Sequence, residues 1–212
     1  MKGIYEPPDM IKAIVEGRKT QTRRLHGLKE INQEPDKWER IENIAEGNYM
    51  TFHRPDYPIK MVKPKYHVGE VVFVQEAWAV IKLHDSLEPS EIPAYGRLPR
   101  WYKLDDPSPM DTQCNPWPEG NKGKWRSPLF MPEWAARDHR RIKDVRAQRL
   151  QEITPEDCIA EGIGRYTFAR GCLSENPPDK RWKFIELWDS IHKDYPWDLN
   201  PWILRYVFEQ VK

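Results

Sequence analysis

Between Arg18 and Arg24 the chain places four cations in seven residues, in the string Arg18-Lys19-Thr20-Gln21-Thr22-Arg23-Arg24. Such a run can clamp phosphate or a base edge through charge-assisted hydrogen bonds. On a strand edge the same cations serve a plainer end and discourage aggregation. A lysine amine takes up a proton only when burial or nearby cations lower its pKa from about 10.4, and Arg18, Arg23 and Arg24 flank Lys19. Glu161 is the second candidate. It falls in the last turn of a short helix expected to stop at Gly162. A carboxylate there faces the negative end of the helix dipole at a cost of about 0.3–1 kcal/mol, an arrangement that suits a proton donor. Taken alone, an exposed glutamate at a helix end is the simpler reading. Trp78 is the third candidate, either a core ring or a platform on which a base stacks for about 1–3 kcal/mol. The six histidines do not cluster, and no His/Cys/acid spacing suits a metal, so none is expected. No cofactor is expected either, and the absence of a glycine-rich phosphate loop argues against an NTPase.

The elements that must position these residues are short. Gly3 to Glu6 reads as a strand, and Pro7-Pro8 opens a helix with apolar Met10, Ile11, Ile14 and Val15 that stops near Gly17. The basic string follows as a strand, with Gln21, Arg23 and Leu25 on one face and Thr20, Thr22 and Arg24 on the other. Residues 27–62 are polar and weakly periodic, and read as an irregular excursion. Glu70 to Trp78 is a continuous apolar run typical of a buried strand. Residues 81–132, rich in Pro, charge and tryptophan (Trp101, Trp117, Trp125), read as a compact insertion pinned by those rings, with a substrate lid as the alternative. Arg140 to Leu150 reads as a strand. Thr154-Pro155-Glu156-Asp157 has a capping threonine, a proline in the first turn and acids that complement the dipole. A further helix over 179–192 would bury Trp182, Ile185, Trp188 and Ile191, and Trp202 to Glu209 closes the chain as a strand.

The bulk composition bounds the function classes. Thirty-four basic and 33 acidic residues leave a net charge of +1, so a nucleic-acid surface must come from local clustering. Aromatic residues make up 12 % of the chain, which argues against disorder. The three cysteines, Cys114, Cys158 and Cys172, form no metal-ligand pair, and their odd number suggests reduced thiols. No secretion signal and no stretch of about 20 apolar residues occurs, so a cytoplasmic protein without membrane segments is expected. Short strands interleaved with short helices indicate one α+β domain over residues 1–212, built around a barrel or tightly curled sheet. Nothing in the sequence indicates an oligomeric state.

Three segments in order carry a family resemblance: Glu16 to Arg24 after the first helix, Val68-Gly69-Glu70 before the apolar strand, and Ile153 to Gly162. With the closing aromatic strand they resemble the ASCH family. The match is closest to its longer phage and prophage members, which also carry segments like Ser127 to Ala136 and Phe184 to Ile191. The resemblance implies a small PUA-like β-barrel, association with RNA, and nucleoside chemistry. One short bacterial member removes acetyl from N(4)-acetylcytidine with a lysine base, a threonine nucleophile and a glutamate acid. Here these correspond to Lys19, Thr22 and Glu161, with Glu156 as a substitute for the last. The implied partners are RNA, DNA or a modified cytosine nucleoside, contacted by Arg18, Arg23, Arg24 and Trp78. Three functions follow from the resemblance: an amidohydrolase acting on an N-acylated cytosine nucleoside, a non-catalytic RNA- or DNA-binding module, and a ribonuclease.

Overall fold

The computed structural model describes residues 1–41, 49–94, 98–105, 120–163 and 181–211. Cys114, Trp117, Cys172 and the expected helix start at Asp179 lie outside them. The strands in chain order are β1 (Lys2–Tyr5), β2 (Gln21–Arg24), β3 (Glu39–Ile41), β4 (Met50–His53), β5 (Lys60–Val62), β6 (Val71–Gln75), β7 (Trp78–Ala79), β8 (Trp101–Tyr102), β9 (His139–Arg149) and β10 (Trp202–Gln210). The helices are α1 (Pro8–Val15), α2 (Pro155–Ala160) and α3 (Trp182–Ile191). The fold is α+β, with few short helices and several sheets. Among the described residues no sheet closes on itself, and no helix is long and apolar enough to cross a membrane.

The chain divides into two compact units, each assembled from separate stretches of sequence. The first takes Met1–Val15, Val71–Arg141 and the last residues from Gln210. In it β1 runs parallel to β6, with Ile4 opposite Val74, and β6 pairs antiparallel with the start of β9. α1 begins at a proline and buries Ile11, Ala13 and Ile14. The apolar run expected as one strand from Glu70 to Trp78 breaks at Glu76. Trp78 and Ala79 pair instead with Tyr102 and Trp101, as β7 and β8 of a separate ribbon. The unit's core gathers Phe73, Trp78, Val80, Ile92, Tyr102 and Met131. Trp78 is fully buried, edge-on to Trp134 at 5.7 Å, so it is a core ring and offers no face to a base. Within 81–132, buried Trp101 and the bridges Trp78–Arg126 and Ile81–Lys122 pin the described chain.

The second unit takes Glu16–Glu70 and Ile142–Glu209. Here β10 lies between β9 and β2, and Thr22 stands opposite Tyr206 in the antiparallel β2–β10 ladder. The stretch 27–62 is not irregular throughout: β3, β4 and β5 form an antiparallel sheet. Strands of three or four residues are too short to show a period of two. Phe52 of that sheet is buried edge-on against Trp202 at 5.1 Å. The second core joins Leu150, Ile153, Cys158, Phe184, Trp188 and Ile203. On α3 the buried stripe is Phe184 and Trp188, four residues apart and therefore on one face. Trp182 and Ile191, expected inside, are 40 % and 52 % exposed: Trp182 lies off that face, and Ile191 is the last residue of the helix.

Candidate functional site

α2 and β2 meet in the second unit. α2 starts where the sequence indicates, on a capping box. The Thr154 hydroxyl accepts from Asp157 N, and the Asp157 carboxylate accepts from Thr154 N. The helix lasts six residues and stops at Gly162, whose φ of +92° favours a residue without a side chain. Glu161 is thereby held at the C-terminal end. Thr20 N donates to Ala160 O at 2.8 Å, which docks the start of β2 against that end.

Alternation along β2 then aims two side chains at the helix. Gln21 Nε2 donates to the Asp157 backbone oxygen at 2.8 Å and to its carboxylate at 3.0 Å. Arg23 bridges both acids, at 3.0 Å to Asp157 and 2.6 Å to Glu161. Lys19 Nζ donates to Glu161 Oε2 at 2.8 Å and to the Glu161 backbone oxygen at 2.9 Å. The Lys19, Glu161 and Arg23 side chains are 3 %, 7 % and 1 % exposed, so two cations and one acid are buried, with half-buried Asp157 at their edge. Phe184 lies 5.8 Å from the Arg23 guanidinium and Cys158 is buried beside the helix axis, giving the cluster an apolar surround. Burial by itself would raise the Asp157 carboxyl. The Gln21 hydrogen bond and the Arg23 charge outweigh it and hold the group below the ordinary aspartate range. Burial pushes the Cys158 thiol up to about 11.

Two residues singled out by sequence, Lys19 and Glu161, therefore touch although 142 positions separate them. Glu156, the alternative acid, is exposed on the first turn of α2. Thr22 does not join them. It sits between Gln21 and Arg23, so the strand turns its hydroxyl to the opposite face, the one shared with Tyr206. Arg23 is not a surface cation but a buried partner of acids, and cannot contact phosphate as it stands. Arg18 is exposed, bonded to Glu16 and to Gly162 O, and Arg24 is half-buried. The basic string thus splits between a buried cluster and the surface. Asp157 and Gln21 are members the sequence reasoning missed. The Thr154-x-x-Asp157 capping spacing was the one available signal for Asp157, and it pointed to helix initiation only. Trp78 belongs to the other unit.

The Lys19 amine and the Glu161 carboxylate are one hydrogen bond apart, a direct path along which a proton can pass between them. The cluster can therefore hold a base and an acid side by side. Comparison of the chain with protein-family models, curated proteins and solved structures finds no match.

Proposed function

We propose that the chain is an ASCH-type domain with a PUA-like framework that recognises an N-acylated cytosine nucleoside and hydrolyses its exocyclic amide. The observation that supports this most is the buried 2.8 Å contact between Lys19 and Glu161, the two residues to which the resemblance gives the base and acid roles. The proton of Lys19 Nζ passes to Glu161 Oε2, leaving an amine and a carboxylic acid. The amine accepts the proton of the nucleophile as its oxygen attacks the acyl carbon. Glu161 protonates the departing exocyclic nitrogen, and the products are a cytosine nucleoside and a carboxylic acid. The ammonium–carboxylate pair is restored at the end of the cycle. Because Thr22 faces away, the nucleophile in this reading is water, in place of the threonine. Arg23 and Asp157 hold Glu161 in position.

The test is incubation with a panel of N(4)-acylated cytidines and short RNAs, followed by mass spectrometry. Loss of the acyl mass from a nucleoside, retained in Thr22→Val and abolished in Lys19→Met, is expected. Turnover that survives Lys19→Met overturns the assignment, and turnover lost in Thr22→Val restores the threonine as nucleophile. A second reading, recognition of nucleic acid without chemistry, rests on the surface part of the basic string, exposed Arg18 and half-buried Arg24, because Lys19 and Arg23 are committed to acids. Binding of RNA that weakens with salt, with no change in mass, supports that reading.

A further inference from the structure

The first unit contains a cavity of about 390 Å³, within the range of about 300–1,000 Å³ usual for small-molecule sites. Most of the surface facing it is apolar. Tyr5 ends β1, Pro8 and Ile11 belong to α1, and Ala77 lies in the break between β6 and β7. Leu104 follows β8, and Pro128 opens the turn that carries Leu129 and Phe130. Three ionisable residues, Glu6, Glu76 and Lys103, complete the lining.

None of the three charges marks the cavity as an ion site. Arg137 donates to both oxygens of Glu76, Nε at 2.7 Å and Nη2 at 2.8 Å, and also binds Asp105. Burial pushes the Glu76 carboxyl above its ordinary range in spite of that fork, a sign of how little water reaches this wall. Glu6 is buried and has an interaction of its own. Lys103 is exposed to solvent, and its backbone N–H donates to Ala77 O at 2.9 Å.

The mixture of signs selects the occupant. An anion could pair only with Lys103, and would near two carboxylates in doing so. A cation could pair only with carboxylates that already have partners, and would near Lys103. Either ion also loses its hydration on entering apolar walls. An uncharged molecule avoids both penalties and gains by leaving water for those walls. A rigid ring system loses little further freedom on entry. The approach is apolar as well: Leu129 and Phe130, next to Pro128 in the chain, are 63 % and 68 % exposed. We propose that this cavity binds a neutral, apolar small molecule of one or two rings, held by shape and burial and not by an ion pair. The inference stands on the first unit's residues and does not require the Lys19–Glu161 chemistry.

The experiment is calorimetric titration of the full chain, at several temperatures, with three probes that share an indole ring and differ in the charge of its substituent: propylindole, indoleacetate and tryptamine. Propylindole is expected to bind roughly tenfold or more tightly than either charged probe. Its binding should carry a negative heat-capacity change, the mark of apolar burial. Ala77→Leu, which narrows the cavity, is expected to weaken propylindole roughly tenfold or more without altering the circular dichroism spectrum. If that variant does not fold, Leu104→Ser, which makes one apolar wall polar, supplies the same readout with a loss of several-fold. Phe130→Ser, on the exposed turn outside the lining, is expected to leave the affinity within about twofold. Indoleacetate binding as tightly as propylindole assigns the cavity to an anion, and tryptamine doing so assigns it to a cation; each overturns the proposal. So does the absence of binding by any probe, or unchanged affinity in the cavity variant that folds. Loss of binding in Phe130→Ser puts the probe on the exposed turn and overturns it too. A chain that binds propylindole but leaves N(4)-acetylcytidine intact keeps this inference and defeats the hydrolase reading alone.

Discussion

Replacing Glu161 by alanine is the most informative perturbation of the buried cluster. It removes the carboxylate that Lys19 reaches at 2.8 Å and Arg23 at 2.6 Å, in a site where all three side chains are nearly inaccessible. Breaking a buried ion pair from one side costs about 3–5 kcal/mol, because the surviving charge is left without its partner. Two compensations hold the estimate to the lower part of that range. Lys19 keeps the backbone oxygen of residue 161 at 2.9 Å, and Arg23 keeps Asp157 at 3.0 Å. The expected loss is about 3–4 kcal/mol. With a urea slope of about 3 kcal/mol/M, the unfolding midpoint falls by about 1 M. Two controls accompany the urea titration at pH 7. Glu16→Ala breaks the exposed Arg18–Glu16 pair and should cost under about 1 kcal/mol. The double substitution Lys19→Met/Glu161→Leu removes both charges and should recover most of the stability lost in Glu161→Ala. A Glu161→Ala protein within about 0.5 kcal/mol of the native one would refute the reasoning, since the pair would then be behaving as a solvated surface contact.

Asp157 and Glu76 should shape the pH dependence of stability in opposite senses. Asp157 has its folded pKa depressed, so its stabilisation is present above the unfolded value and lost as pH falls through the folded one. Asp157→Asn should flatten the acid limb of a stability-against-pH curve measured by urea unfolding. Glu76 has its folded pKa raised, so its contribution is greatest below the unfolded value and fades as pH rises through the folded one. Glu76→Gln should remove that decline, and slopes of the reverse sign would contradict the burial argument. Cys158, buried and with its thiol pushed up to about 11, should resist iodoacetamide at pH 8 in the native protein and react once unfolded, as read by peptide mass mapping. Thr154→Ala should cost about 1 kcal/mol by opening the capping box of α2, with faster amide exchange along that helix.

Local chemistry made the helices legible. Thr154-Pro155 and Gly162 mark both ends of α2, and Pro8 with Gly17 brackets α1, because caps and breakers act within a turn of the residues that carry them. The β3–β5 sheet was hidden because its strands are too short to show a pattern and find their partners through packing. Trp182 misled because a tryptophan at helical spacing was taken as core, whereas Phe184 and Trp188 define the buried face of α3. The meeting of Lys19 with Glu161 depends on how β2 docks on α2, a contact across more than a hundred residues that no window of sequence contains. The same limit concealed the Glu76–Arg137 fork, joined across 61 positions. Alternation along β2 was readable, and it is what separates Thr22 from Gln21 and Arg23.

The central claim is that the Lys19–Glu161 pair moves protons during amide hydrolysis. Its most direct measurement is release of cytidine and acetate from N(4)-acetylcytidine by the native protein beside Lys19→Met, both verified as folded by circular dichroism. Release by the native chain and none by the variant is the predicted result. Equal release by the two, or none by the native chain, contradicts it.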